Sequence, residues 1–148
     1  MIDRENTDRL ISLISEYTHD LKDASISLRR FSDFKSDKKT QRYVERTLQI
    51  DIEACLDLAN HIVSAKGFRE TSSNADTFYV LCENKIVPIS LFSKLKDMAS
   101  FRNLMVHNYT KVDSEKVYGI LKRYLKDFDT YLGYIVGFLE KERIMKKR

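Results

Sequence analysis

The sequence has little of what a β-sheet protein or a disulfide-stabilised protein needs. Its 148 residues include one Pro and four Gly, which are too few for the many turns of a sheet protein. Cys55 and Cys82 are the only cysteines, and their number and spacing fit neither a zinc site nor a disulfide framework. We therefore expect two free thiols in a reducing cytoplasm.

Long hydrophobic runs and metal-binding clusters are also missing. The N-terminal segment MIDRENTDRL is charged, so it predicts neither a signal peptide nor a membrane anchor. No group of carboxylates, and no group of His and Cys, predicts a metal site. We therefore expect a cytoplasmic protein that is not inserted in a membrane and that needs no metal ion or other cofactor.

Helical periodicity is what the sequence does contain. Apolar residues at alternating steps of three and four predict four long helices: over Leu10 to Phe31, over Val44 to Ile62 with an end at Gly67, over Leu91 to Met105, and over Val117 to Phe138. The segment TFYVLCENK predicts a short helix that begins at Asp76 or Thr77 as N-cap and ends before Pro88. The prediction is one all-α domain over residues 1–148, an antiparallel four-helix bundle with an additional short helix.

The net charge of +4 is concentrated in two segments. The last eight residues, KERIMKKR, carry five basic side chains and one Glu, so the remaining residues sum to zero. A second basic group surrounds a predicted turn and is diluted by Asp33 and Asp37; it consists of Arg29, Arg30, Lys35, Lys38, Lys39 and Arg42. A basic helix end is usually a solubility feature that the helix dipole favours. The charge therefore permits an RNA partner without requiring one.

Arg102 interrupts the apolar stripe of the fourth helix. It takes the position after Met98 at which the spacing calls for an apolar side chain. A guanidinium there is unfavourable unless it has a partner, a wet cleft or a bound anion. Alternatively, its stem packs on the core while its head reaches water. Asp51 occupies an equally anomalous position on the second helix, which makes it a candidate partner for Arg102.

His107 and Tyr109 follow Arg102 at the end of the same helix. At about 100° per residue, Arg102 and Tyr109 are about 20° apart around the helix, whereas Arg102 and His107 are about 140° apart. Two arrangements would bring them together. Either the helix ends around Val106 to Asn108, with Asn108 in a left-handed conformation that turns His107 back, or two copies of the bundle meet and share one site.

The segment RNLMVHNY, from Arg102 to Tyr109, has the form Arg-x4-His-x-Tyr and resembles the motif of HepT-like toxins of the HEPN superfamily. IDIEACLDLANHIV is similar to the second helix of that family. The sequence from TFYVLCENK through SLFSKLKDMASFRN is similar to the segment that leads into its motif helix. The resemblance covers roughly residues 8 to 140.

The resemblance implies a HEPN-like homodimer that cleaves RNA without a metal ion. Arg102 and His107 of both protomers would line a cleft at the dimer interface, and we add Asp51, Asn103 and Asn108 as candidate supporting residues. Histidine transfers protons near neutral pH, and arginine offers a planar charged fork to phosphate oxygens. The pair therefore suits cleavage of RNA by its own 2′-hydroxyl, with a 2′,3′-cyclic phosphate and a 5′-hydroxyl as products.

The resemblance also implies that a partner controls the activity of this chain, which would be the toxin of a type VII toxin–antitoxin system. An MNT-type nucleotidyltransferase antitoxin would transfer AMP from ATP to Tyr109, and the added phosphates would compete with RNA for Arg102. Alternatively, Tyr109 is a packed ring that closes the bundle. His19 and His61 lie outside the motif, and we expect them to be surface or capping residues.

Two other classes of function stay open from the sequence. One alternative to the ribonuclease is a non-catalytic helical binding subunit of a nucleotidyltransferase, and the other is a dimerisation module whose polar seam residues specify register alone. The sequence carries no signature for base recognition, so it does not indicate which RNA is cut.

Overall fold

The computed structural model describes residues 1–107 and 112–146. In these ranges the chain forms seven α-helices, which are α1 (Arg4–Ser27), α2 (Phe31–Lys35), α3 (Lys38–Ala65), α4 (Asn74–Glu83), α5 (Phe92–His107), α6 (Ser114–Arg123) and α7 (Lys126–Lys146). A 3-10 segment, Ile89–Leu91, precedes α5. The described ranges contain no strand, so the prediction of an all-α fold is confirmed. None of their helices combines the length and apolar character needed to cross a membrane.

One hydrophobic core lies between the helices, and α3 runs through its centre. The N-terminal amine donates to the carbonyl oxygen of Ala65, and the Thr18 hydroxyl donates to Asp51 in the middle of α3, so α1 and α3 are antiparallel. Tyr131 of α7 is fully buried and donates its hydroxyl to the carbonyl oxygen of Cys55 at 2.8 Å. Because a buried hydroxyl needs an acceptor, this bond fixes α7 against α3.

Gly67 ends α3 as predicted. Its φ of +66° lies in the left-handed region, which glycine adopts without steric cost. The N–H of Phe68 donates to the carbonyl oxygen of Val63 at 3.0 Å, which satisfies one of the last carbonyls of the helix.

The first helix is shorter than the periodicity predicts. α1 ends at Ser27, and Phe31 begins the separate helix α2. The backbone leaves the helical region at Leu28, with φ −99° and ψ 79°. Phe31 still reaches the core, where its ring centre lies 5.6 Å from that of Tyr118. The apolar spacing continued across the break because both helices face the same core.

The predicted last helix consists of two helices. α6 ends at Arg123 and α7 begins at Lys126. The N–H groups of Asp127 and Phe128 donate to carbonyls three residues back, at 3.1 and 3.2 Å, which marks a tight turn between the two helices. Apolar side chains on both sides of this turn are buried, so the pattern did not reveal it.

The predicted N-cap of α4 is also wrong. Ser73 is the N-cap, and its hydroxyl accepts from the backbone N–H of Asp76 at 3.0 Å. The Asp76 carboxylate instead accepts from the Arg69 guanidinium, and this bond holds the pKa of Asp76 well below its usual range. Asp76 therefore pins the loop between α3 and α4 to the start of α4.

Candidate active site

α5 carries both predicted catalytic side chains. Leu95, Met98 and Met105 are buried and hold the helix on the core. Arg102 lies at the edge of this buried face and is half-buried, whereas His107 is exposed at the last residue of the helix.

The Arg102 guanidinium is held by one carboxylate and keeps open donors. Its Nε lies 3.5 Å from Oε1 of Glu53 on α3, and 27% of its side chain is exposed. The Nε group is buried and has no hydrogen-bond partner among the described residues. Nη1 donates to Oδ1 of Asn103 at 3.4 Å, a long bond. Because Nε is buried, the donors that remain for an anion are those of the two Nη groups that Asn103 does not occupy.

The predicted pairing of Asp51 with Arg102 is wrong. Asp51 is fully buried, and its Oδ2 accepts from the Thr18 hydroxyl on α1 at 2.7 Å. Burial raises the pKa of Asp51 to about 8, against the effect of the Thr18 hydrogen bond. Residues 51 and 53 point about 200° apart around a helix, so Asp51 faces α1 while Glu53 faces α5.

Glu53 is the site residue that sequence reasoning missed. It belongs to a polar edge of α3 formed by Gln49, Glu53 and Asp57 at steps of four residues, and Gln49 donates to Oε1 of Glu53 at 3.0 Å. Burial, followed by the charge of Glu53, raises the pKa of Asp57, whereas the charge of Arg102 acts in the opposite direction. The signal in the sequence is this spacing, which places three polar side chains in one line beside the apolar stripe.

Asn103 links the site to the start of α4. Its Oδ1 accepts from Nδ2 of Asn74 at 3.1 Å as well as from Arg102. Asn103 is therefore in contact with the guanidinium, while its supporting role stays a prediction.

His107 and Arg102 do not converge within one chain in the described geometry. α5 is described as far as His107, which is still helical, so the predicted end of the helix around Val106 to Asn108 stays a prediction. Five residues of helix separate the two side chains by about 7.5 Å of rise and about 140° of rotation. Asn108 and Tyr109 lie outside the described residues.

A cleft of about 460 Å³ opens between α5 and α6 beside this site. Met98 and Phe101 line it together with three basic side chains and three acidic ones, which are Lys94, Lys116, Arg123, Asp97, Glu115 and Asp127. Lys94 pairs with Asp127 at 3.3 Å. The Nζ of Lys116 lies 6.0 Å from the ring centre of Phe101. The charges that line the cleft therefore balance, and Arg102 is not among its lining residues.

The other two histidines have ordinary roles, as expected. His19 is exposed on α1, with its Nε2 3.3 Å from Oδ2 of Asp23. His61 accepts from the backbone N–H of Asp3 at 3.0 Å and so helps to fix the start of α1.

The described residues offer no ready site for a metal ion. They contain no group of three or more His, Cys, Asp or Glu side chains that could hold one. Cys55 and Cys82 are buried free thiols, in agreement with the prediction.

The ribonuclease HepT-like family has a sequence model that matches residues 14–135, a range that includes Arg102, His107 and Glu53. This chain belongs to the ribonuclease HepT-like family. The resemblance inferred from the Arg-x4-His-x-Tyr segment is thereby confirmed.

Two HepT relatives and one HEPN complex are similar to the chain. The mRNA nuclease HepT of Shewanella oneidensis is 34% identical over 104 residues, which cover 70% of this chain and 78% of the relative. The tRNA nuclease HepT of Aphanizomenon flos-aquae is 28% identical over 130 residues, 87% of this chain and 86% of the relative. A solved structure of the tri-AMPylated Shewanella oneidensis HEPN toxin in complex with MNT antitoxin superimposes with a TM-score of 0.82 at 27% identity, covering 91% of this chain and 99% of that chain.

Proposed function

We propose that residues 1–148 form a single-domain endoribonuclease toxin that cleaves RNA in the cytoplasm without a metal ion. The observation that carries the proposal is the arrangement on α5, where the half-buried guanidinium of Arg102, with one long hydrogen bond from Nη1, and the exposed imidazole of His107 lie five residues apart. Membership in a ribonuclease family and similarity to two HepT nucleases support it.

Arg102 and His107 suit cleavage by internal transesterification. The 2′-oxygen forms a bond to phosphorus as its proton passes to one imidazole, and the bond from phosphorus to the 5′-oxygen breaks as that oxygen receives a proton. The products are a 2′,3′-cyclic phosphate and a 5′-hydroxyl. Arg102 stabilises the negative charge that builds up on the phosphoryl oxygens.

A homodimer supplies the second motif histidine that this reaction calls for and that one chain lacks. Proton removal from the 2′-hydroxyl and proton donation to the leaving oxygen call for a base and an acid. Each chain carries one motif histidine, and in the described geometry it points away from its own Arg102. A twofold axis beside α5 would place both imidazoles and both guanidinia in one groove.

The partner that we propose for control is an MNT-type antitoxin that modifies Tyr109 with AMP. The support is the solved complex of a tri-AMPylated HEPN toxin with its MNT antitoxin, which this chain resembles over 91% of its length. Tyr109 follows His107 by two residues. Phosphates attached there would occupy the Arg102 donors and repel the RNA backbone.

RNA cleavage is expected to continue in EDTA. The groups that we assign are side chains of the protein, so removal of divalent cations leaves the chemistry intact. Incubation of purified protein with labelled single-stranded RNA, with EDTA or with Mg²⁺, followed by analysis of the fragment ends, tests this. Fragments ending in a 2′,3′-cyclic phosphate are expected in both reactions. Cleavage that EDTA abolishes and Mg²⁺ restores would contradict the metal-free mechanism.

The Tyr109→Phe variant is expected to cleave RNA at close to the wild-type rate but to resist neutralisation by the antitoxin. Phenylalanine keeps the ring and removes the hydroxyl that would receive AMP. Co-expression with the antitoxin, followed by mass spectrometry of the intact chain, measures the added AMP groups. AMP found on a different residue, or a variant that the antitoxin still silences, would refute the assignment of Tyr109.

A further inference from the structure

Six basic side chains meet at the end of the fold where α1 ends, α2 lies and α3 begins. All six are exposed, and they are Arg29, Arg30, Lys35, Lys38, Lys39 and Arg42. With Asp33 and Asp37 as the acidic residues of this stretch, residues 29–43 have a net charge of +4. We call residues 29–43 the cationic corner. It lies outside the motif and has no part in the cleavage chemistry above.

The charge of the cationic corner is only partly balanced by neighbouring carboxylates, since Asp37 lies near Lys39 and Glu45 near Arg42. None of its six basic side chains forms an ion pair with a carboxylate in the part of the chain that the structure describes. Its two acidic side chains are engaged at helix starts. Asp33 accepts from the backbone N–H of Arg30, and Asp37 accepts from the backbone N–H of Thr40.

The position of these cations is unfavourable for the fold itself. Lys38 and Lys39 are the first two residues of α3, a helix of 28 residues with no acidic residue in its first turn. Cations at a helix N-terminus oppose the helix dipole. A solubility feature would sit at a helix C-terminus, as the basic end of α7 does. The N-cap of α3, Asp37, places one carboxylate beside Lys38 and Lys39, and the remaining cations of the corner are open to an anionic partner.

The chemistry of the corner fits a nucleic acid strand. Tyr43, next to Arg42, is 49% exposed and offers a flat face on which a base can stack. Six dispersed cations match the repeated charge of a phosphate backbone better than a single small anion.

A short path of contacts connects the corner to the motif helix. The Phe31 ring of α2 packs against Tyr118 on α6 at 5.6 Å between ring centres. Lys116, two residues earlier on α6, lies 6.0 Å from the Phe101 ring, beside Arg102. α6 thus contacts both the corner, through Tyr118, and the motif helix α5, through Lys116.

We propose that the cationic corner is a second RNA-binding surface, which holds the backbone of the same strand that is cut at Arg102 and His107. This inference rests on the proposed ribonuclease function. It adds a surface that raises affinity for long strands without taking part in bond cleavage.

The test measures how RNA affinity depends on salt. In the His107→Ala protein, which is expected to cleave RNA far more slowly than the wild type, the substitutions Lys38→Gln, Lys39→Gln and Arg42→Gln remove three corner charges. The matched control, Lys141→Gln, Arg143→Gln and Lys146→Gln, removes three charges from the end of α7. Fluorescence anisotropy with a labelled single strand of about 20 nucleotides gives the dissociation constant at several salt concentrations. Each lost phosphate contact reduces the slope of log affinity against log salt by about 0.7, so a decrease of about 2 is expected for the corner variant.

The outcomes separate this inference from its alternatives. Equal slopes for the corner and control variants would mean that net charge alone matters, and the proposal would be overturned. A corner variant that binds RNA normally but no longer co-elutes with the antitoxin would assign the corner to a protein partner and overturn it as well. Circular dichroism melts exclude misfolding, because removing Lys38 and Lys39 is expected to leave the melting temperature unchanged or raise it. A different result, the absence of RNA cleavage by the wild-type protein, would contradict the proposed ribonuclease function. Because the binding assay does not depend on cleavage, the two failures can be told apart.

Discussion

The His107→Ala variant is expected to cleave RNA about 10²- to 10⁴-fold more slowly than the wild type, because proton transfer by one positioned side chain contributes about this factor. The Arg102→Ala variant is expected to lose about 10²- to 10³-fold, the usual effect of removing one donor that stabilises the transition state. Arg102→Lys restores only part of the rate, since an ammonium group lacks the planar fork. Single-turnover cleavage of labelled RNA measures the rates, and growth of a bacterial host that expresses each variant measures toxicity.

Controls separate loss of chemistry from loss of folding. His19→Ala removes an equally exposed imidazole from α1 and is expected to keep wild-type activity. Imidazole added to the buffer is expected to restore part of the activity of His107→Ala, because this exposed position admits a small molecule, and none of the activity of Arg102→Ala. Wild-type cleavage by His107→Ala would exclude the imidazole from the reaction. If the wild-type chain binds the antitoxin but cuts no RNA, this result would favour the alternative function, a non-catalytic binding subunit of a nucleotidyltransferase.

The sequence predicted those parts of the fold that depend on local chemistry. Gly67 ends α3 because its φ of +66° favours glycine, and Pro88 lies between α4 and α5. The breaks between α1 and α2 and between α6 and α7 were missed. At both breaks the flanking apolar side chains face one core, so the spacing of apolar residues is the same as in an unbroken helix.

The candidate site was predicted only where one helix defines it. Arg102 was recognised because a charge interrupts an apolar stripe, and that signal lies within α5. Its partner depends on which face of α3 meets α5, a tertiary property that periodicity does not contain. Asp51 and Glu53 are two residues apart in the chain, yet Asp51 faces α1 and Glu53 faces α5, so the predicted partner of Arg102 is wrong.

Asp51 gives the second large expected effect, on stability rather than activity. The carboxyl is fully buried, and its Oδ1 has no hydrogen-bond partner among the described residues. Burial raises its pKa to about 8 in the folded chain, against about 3.9 in an unfolded chain. Below about pH 4 both states carry the proton, so the stabilising contribution of the neutral group is fully present. As the pH rises toward 8, the unfolded state ionises first and this contribution is lost.

The expected slope is steep enough to measure in one series of unfolding experiments. Between about pH 4 and pH 8, Asp51 lowers the free energy of unfolding by about 1.4 kcal/mol per pH unit. Asp51→Asn removes this slope, because the amide carries no charge at any pH and its oxygen still accepts from Thr18. Urea unfolding of both proteins at pH 5, 6 and 7 isolates the effect as the difference between them, since other titrating groups are shared.

Asp8→Asn is the matched control for this experiment. Asp8 is exposed on α1, so its substitution is expected to leave the pH profile of the wild type unchanged. If Asp51→Asn and wild type show parallel profiles from pH 5 to pH 7, Asp51 is already ionised in the folded chain. A buried charge would then need a cation close to Oδ1. The raised pKa instead requires a neutral carboxyl, whose proton makes Asp51 compatible with the apolar centre of α3.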